Sequence, residues 1–181
     1  MTVRALLIID VQQALVAGVE NGEALLARLA ELAVRARATE VPVVFLQQNG
    51  AAGGPLAPGG HGWQLASALG ASAADVVIPK TATDGFYDTP LADVLRERGV
   101  DTVVVGGLAS DYCVDATARS AVSHRLDVEL LSDGHSTTNR AATGLTAMQI
   151  ITHHNEILAS AIHPGGQLRL VTCAEALPAA C

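Results

Sequence analysis

Short aliphatic and β-branched runs alternate along this chain with longer stretches in which apolar positions recur every three or four residues. Ala5 to Ile9 is continuously apolar and brief, the pattern of a strand covered on both faces. In GEALLARLAELAVRARAT, residues 22–39, Leu25, Leu26, Leu29, Leu32 and Val34 fall at helical spacing with charges between them, which predicts an amphipathic helix. Pro42 helps to stop it, and Val43 to Gln47 forms a second strand. Further strands are expected over 75–80, 102–105, 127–131 and 168–172. Helices are expected over 90–98 with Pro90 early and Gly99 past the end, over 113–123, and over 142–161. The segment 49–62, NGAAGGPLAPGGHG, is the one long irregular stretch, and loops beyond about 12 residues are usually functional or disordered. A short helical turn is expected from Trp63 to Leu69.

Strands separated by helices imply parallel pairing through right-handed crossovers. The predicted fold class is therefore α/β: a doubly wound, mainly parallel six-stranded sheet with helices on both faces. Such sheets bind ligands beyond the carboxyl ends of their strands. Three chemically capable residues meet that rule. Asp10 ends the first strand, Lys80 ends the third, and Cys113 follows the fourth after a short turn and opens a helix.

Composition narrows the setting. A length of 181 residues suits one domain spanning 1–181. Half the residues are hydrophobic but only 3% are aromatic, so Ala, Val and Leu must build most of the core. The net charge of −7, with no basic stripe, argues against nucleic acid or an anionic membrane surface as partner. No window approaches the ~18 apolar residues of a membrane span, and MTVRALLIIDVQQ reads as a first strand and not a secretory leader. The cysteines, Cys113, Cys173 and Cys181, are odd in number and unevenly spaced, which suggests neither a disulfide framework nor zinc. A reducing cytoplasm is the expected location.

At a helix start the Cys113 thiol would meet unpaired N–H groups that favour thiolate and could hold an oxyanion. Asp10, an acid after LLII, is expected to serve as general base. Lys80 would keep that carboxylate ionised and lower the thiol pKa. Cys173 and Cys181 have no polar company in sequence and read as packing residues.

LLIIDVQ at 6–12, Lys80 followed by TATDGFYDTPL, the block VVVGGLASDYCVDATARSA, and DGHST at 133–137 come in order and at ordinary spacing. Together they resemble the isochorismatase-like cysteine hydrolases, a superfamily that includes nicotinamidases, N-carbamoyl amidohydrolases and streptothricin hydrolase. The resemblance covers nearly the whole chain. It implies Asp10, Lys80 and Cys113 as a catalytic triad, working through a thioester on an amide, lactam or carbamoyl C–N bond. It also implies a non-proline cis peptide between Leu108 and Ala109, with the Ala109 and Cys113 N–H groups as oxyanion hole. Gly106 and Gly107 would give the backbone room for that turn. A homo-oligomer is implied as well.

Departures from the family refine the expectation. Nicotinamidases carry an Asp and paired histidines after the second strand, which bind a divalent metal. Here that stretch offers only His61, and one imidazole cannot make a site that usually needs three protein ligands. No metal or other cofactor is therefore expected. Isochorismatases cleave a vinyl ether without a thiol, so an intact Cys113 block favours acyl transfer. Vinyl-ether hydrolysis, or an idle small-molecule-binding oligomer, are the alternative readings. The Gly/Pro loop resembles that of the smaller amidase-type members. Gln12, Trp63, Phe86, Tyr112 and His135 flank the matched motifs and are candidates to line the substrate pocket, whereas His153 and His154 are expected on a helix that is structural or at a subunit contact.

Overall fold

The computed structural model describes residues 2–177. Its elements run β1 (Arg4–Ile9), α1 (Gln13–Val16), α2 (Gly22–Ala38), β2 (Val43–Gln48), β3 (Val76–Lys80), α3 (Leu91–Glu97), β4 (Thr102–Leu108), α4 (Asp115–Ser123), β5 (Asp127–Ser136), α5 (Ala147–Ser160) and β6 (Leu168–Val171). The six strands form one sheet in the order β3-β2-β1-β4-β5-β6, and every neighbouring pair is parallel. The predicted doubly wound α/β architecture is the observed one.

The continuous apolar run of β1 is explained by its place in the middle of the sheet. Leu6 and Ile8 point to one face, where Leu25, Leu29 and Leu32 of α2 and Leu69 cover them. Ala5, Leu7 and Ile9 point to the other, against Leu91 and Leu95 of α3 and Ala118, Ala121 and Val122 of α4. Burying each large aliphatic side chain of α2 contributes about 1.5–3 kcal/mol, enough to outweigh the modest propensity of an isolated helix of this length. The chain winds outward from β1 to β3, then crosses back to β4 on the other side of β1. That reversal opens a crevice above the carboxyl ends of β1 and β4.

Element ends differ from the sequence reading where local hydrogen bonding overrides apolar periodicity. Helix α5 begins at Ala147 and not at Ala142, because Thr146 and Gln149 form a capping box. Residues 140–145 close a tight turn instead, with the Arg140 N–H donating to the Leu145 carbonyl at 2.8 Å. Strand β5 runs on to Ser136, so that His135 and Ser136 pair with Gly107 and Leu108. The helix expected from Cys113 begins at Asp115 and is preceded by one wide turn, Ser110–Val114, in which the Val114 N–H reaches back to the Ala109 carbonyl. Within the expected helical turn 63–69 only Ser67–Leu69 is helical, as a single tight turn. The Gly/Pro segment folds as successive turns docked on α1 and its flank, with Ala14 donating to the Gly62 carbonyl and Gln13 to that of Gln64.

Candidate active site

The register of the central strands sets Ile9 beside Gly107, so the residues that follow β1 and β4 emerge side by side. Asp10 leaves β1 in the left-handed region, φ 52°, a conformation that Asp tolerates better than most residues and that turns its carboxyl into the crevice floor. On β4, Gly107 has φ 123°, and a Cβ there would stand 2.1 Å from the Ile9 carbonyl oxygen; only glycine allows this approach. The Leu108–Ala109 peptide that follows is cis. On the far side, β2 and β3 place Gln48 beside Lys80.

These strand ends bring Asp10, Lys80 and Cys113 together. Lys80 Nζ lies 2.7 Å from Asp10 Oδ2 and 3.2 Å from Cys113 Sγ. It also donates to Gln48 Oε1 at 2.7 Å and to the Ala82 carbonyl at 3.1 Å. Four acceptors thus surround an ammonium with three protons, so the carboxylate and the sulfur compete for the same charge. Asp10 and Lys80 are almost wholly buried, and Asp10 Oδ1 has no hydrogen-bond partner among the described residues.

Electrostatics acts on the thiol in both directions. Burial pushes the Cys113 thiol up to about 12 and the nearby Asp10 charge adds to the rise, outweighing the opposing pull of Lys80. Lys80 does pull the thiol down, as expected, but burial and Asp10 oppose it and the net direction is upward. Burial likewise raises the Asp10 carboxyl above its ordinary value, against the opposing effect of Lys80. A carboxylate made more basic beside a reluctant thiol is suited to take its proton, because the exchange leaves the total buried charge unchanged.

A cavity of about 440 Å³ opens over this cluster. Asp10, Gln48, Ala109 and Cys113 form its floor, Leu15, Val19 and Leu108 supply apolar wall, and Tyr112 and Arg140 stand at one side. The Ala109 N–H finds no backbone acceptor among the described residues. Tyr112, half exposed, is the one candidate pocket residue of the five that borders this cavity.

Four others lie elsewhere, each for a visible reason. Gln12 is fully buried and works as a clamp: its Nε2 donates to the carbonyls of Gln48 (3.0 Å) and Trp63 (2.8 Å), and its Oε1 accepts from the Gln48 N–H (3.0 Å). Trp63 turns its indole N–H to Asn49 Oδ1 at 2.8 Å, pinning the Gly/Pro segment to the end of β2. Phe86 is core, stacked on His124 at 4.4 Å between ring centroids. His135 is buried, its Nδ1 2.8 Å from Ser110 Oγ and its Nε2 3.0 Å from Asn155 Oδ1, and so joins β5, α5 and the turn that carries Cys113. Burial lowers its pKa, so a neutral imidazole holds this link.

Residues not singled out in the sequence also shape the site. Gln48 ends a strand, as Asp10 and Lys80 do, and the same strand-end rule applied to β2 would have found it. Arg140 and Asp111 carry no such signal. Their pairing at 2.7 Å joins a turn before α4 to a turn before α5, and nothing in either stretch announces the other. Cys173 is buried, consistent with packing; Cys181 lies outside the described residues. Among the described residues no group of three or more His, Cys, Asp or Glu is placed to hold a metal ion, and His61 is exposed away from the cavity. No helix among them is long and apolar enough to cross a membrane.

Comparison with known proteins agrees with this geometry. Residues 4–161 match the isochorismatase domain family. Streptothricin hydrolase from Streptomyces noursei is 40% identical over 148 residues, covering 80% of this chain and 59% of that protein. Ureidoacrylate amidohydrolase RutB from Methylobacterium radiotolerans is 32% identical over 152 residues, covering 65% of this chain and 58% of that protein. The chain thus spans a little over half the length of these curated relatives. Among solved structures, an isochorismatase from Pseudomonas putida KT2440 superposes with a TM-score of 0.88 at 25% identity, covering 97% of this chain and 90% of that one. With the sheet order, the strand-end residues and these matches in agreement, the chain belongs to the isochorismatase domain family.

Proposed function

We propose that this chain is a cysteine amidohydrolase that opens a C–N bond of a small molecule through a thioester, without a metal. The observation that carries the reading is that Lys80 Nζ sits 2.7 Å from Asp10 Oδ2 and 3.2 Å from Cys113 Sγ, while Asp10 and Cys113 line one cavity. Two matched relatives whose names describe C–N hydrolysis, a streptothricin hydrolase and a ureidoacrylate amidohydrolase, support it.

In this mechanism Asp10 takes the thiol proton as the sulfur attacks the carbonyl carbon. The new thiolate charge is met by Lys80, whose contact to the carboxyl weakens as that group is neutralised. The carbonyl oxygen becomes an oxyanion held by the Ala109 and Cys113 N–H groups; one such donor is typically worth about 10²–10³ in rate. Asp10 returns its proton to the leaving nitrogen, the C–N bond breaks, and the acyl group remains on Sγ. Asp10 then removes a proton from water, hydroxide attacks the thioester, and the acid departs as the sulfur is reprotonated. Every step moves one proton through one carboxyl, so Asp10 is the proposed base and acid in turn.

The test is an ammonia- or amine-release screen over nicotinamide, carbamoyl, lactam and streptothricin-type amides with native protein and Cys113→Ala. Release by the native protein and its loss in a folded Cys113→Ala is the expected result. Release that survives in the variant would overturn the thioester reading.

A further inference from the structure

Arg140 is the one cation that lines the cavity among the described residues, since Lys80 lies behind Asp10 and Cys113. A lone arginine in such a place ordinarily suggests recognition of a carboxylate on the ligand. Its hydrogen bonds point the other way. Arg140 Nε donates to Asp111 Oδ2 at 2.8 Å and Nη2 to Asp111 Oδ1 at 2.8 Å. Nη2 also donates to Thr137 Oγ1 at 2.9 Å, and Nη1 donates to Thr138 Oγ1 at 2.6 Å. Four of the five guanidinium N–H bonds are thereby used inside the protein. Thr137 in turn donates to Asp111 Oδ1 at 2.6 Å, and Arg140 lies over the Tyr112 ring, 4.9 Å from its centroid. The Arg140–Asp111 pair is neutral, the Asp10–Lys80 pair is neutral, and the whole chain carries −7.

Resting on the amidohydrolase reading, we propose that this cavity selects amides that carry no carboxylate, neutral or cationic, and that Asp111 sets this preference by occupying Arg140. An anionic ligand would have to displace a bidentate, partly buried carboxylate from its partner and would gain no uncompensated charge in return. The apolar wall of Leu15, Val19 and Leu108 suits an uncharged body beside the scissile amide.

A matched pair tests the idea: N-carbamoyl-β-alanine, which ends in a carboxylate, and N-carbamoyl-β-alaninamide, which shares its ureido head but is neutral. Dissociation constants are measured by calorimetry on the Cys113→Ala protein, and kcat/KM for both on native protein and on Asp111→Asn. The expected result is tighter binding of the neutral compound by about tenfold or more, with the ratio shifting toward the carboxylate by about tenfold in Asp111→Asn as the freed guanidinium becomes available. Tighter binding of the carboxylate by the Cys113→Ala protein overturns the proposal, as does binding of neither compound at millimolar concentration, or an unchanged ratio in a folded Asp111→Asn. The binding arm needs neither turnover nor the Asp111 variant. Selective binding, with no turnover of either compound or of any amide in the screen by native protein, would therefore sink the hydrolase reading while leaving the selectivity intact.

Discussion

At the scale of the residue, the site is a problem of sharing charge between two almost wholly buried groups, Asp10 and Lys80. Asp10 and Lys80 are each tolerable there because the other is present. Burial and Asp10 raise the Cys113 thiol against the pull of Lys80, and in the proposed mechanism its activation is the transfer of one proton to Asp10. Because burial raises the Asp10 carboxyl above its ordinary 3.8, the acidic limb of kcat/KM should have its midpoint above that value. A pH–rate profile on any turned-over amide checks this, and a limb at or below 3.8 would show that Asp10 is not the base. That the three groups come together was legible from the ends of two strands and the turn after a third. The state of the sulfur was not, because helix-start and lysine proximity were visible in sequence whereas depth of burial was not.

At the scale of the element, β4 and the turn after it do most of the positioning. Gly106 and Gly107 let this strand pass close to β1 and to the β5 backbone at Gly134. Gly107→Ala should cost more than about 3 kcal/mol, since it meets both a backbone clash and an unfavourable φ. Gly53→Ala, with positive φ but open space around it, should cost only about 1 kcal/mol. Urea unfolding of the two variants distinguishes the cases, and equal midpoints would refute the account of β4. The turn itself rests on the buried Ser110–His135–Asn155 chain. His135 was noticed in sequence for its nearness to a motif, yet its ring bonds to the Ser110 and Asn155 side chains and does not line the cavity. Nearness in sequence gave the right neighbourhood for Gln12, Trp63 and Phe86 too, but side-chain direction decides role. Direction depends on partners that only the folded chain supplies.

At the scale of the whole molecule, a mainly parallel six-stranded sheet with helices on both faces could be read from short apolar runs alternating with period-3.6 stretches, because each strand or helix had to cover its own apolar face. Long-range polar pairs could not. Glu129, buried on β5, accepts from Arg4 of β1 at 2.9 Å and from Arg169 of β6, and no local pattern links the three. Burial alone would raise the Glu129 carboxyl, but hydrogen bonds from the two arginines hold it below the usual range, and Asp75 and Asp111 are held low in the same way. Carboxyls depressed in the folded state stabilise it above their unfolded pKa values, and this contribution is lost as pH falls through the lower folded values. Asp10 has the opposite sign: raised on folding, it favours the fold only at low pH. The lowered carboxyls Asp75, Asp111 and Glu129, with the exposed Glu175 lowered too, predict a Tm that falls as pH drops below about 4, partly offset by Asp10. Glu129→Gln should flatten that fall; a Tm that rises toward pH 3 would contradict the assignment.

The central claim is that three distant segments make one nucleophilic unit, and acylation by p-nitrophenyl acetate tests it most directly. Native protein is mixed with the ester, quenched in acid and mapped by peptide mass spectrometry. The account predicts an acetyl group on Cys113 and none on Cys173, with the acylation rate about 10²–10⁴ lower in Asp10→Asn. Acetylation confined to other residues, or p-nitrophenolate released equally fast by native protein and Cys113→Ala, would contradict it.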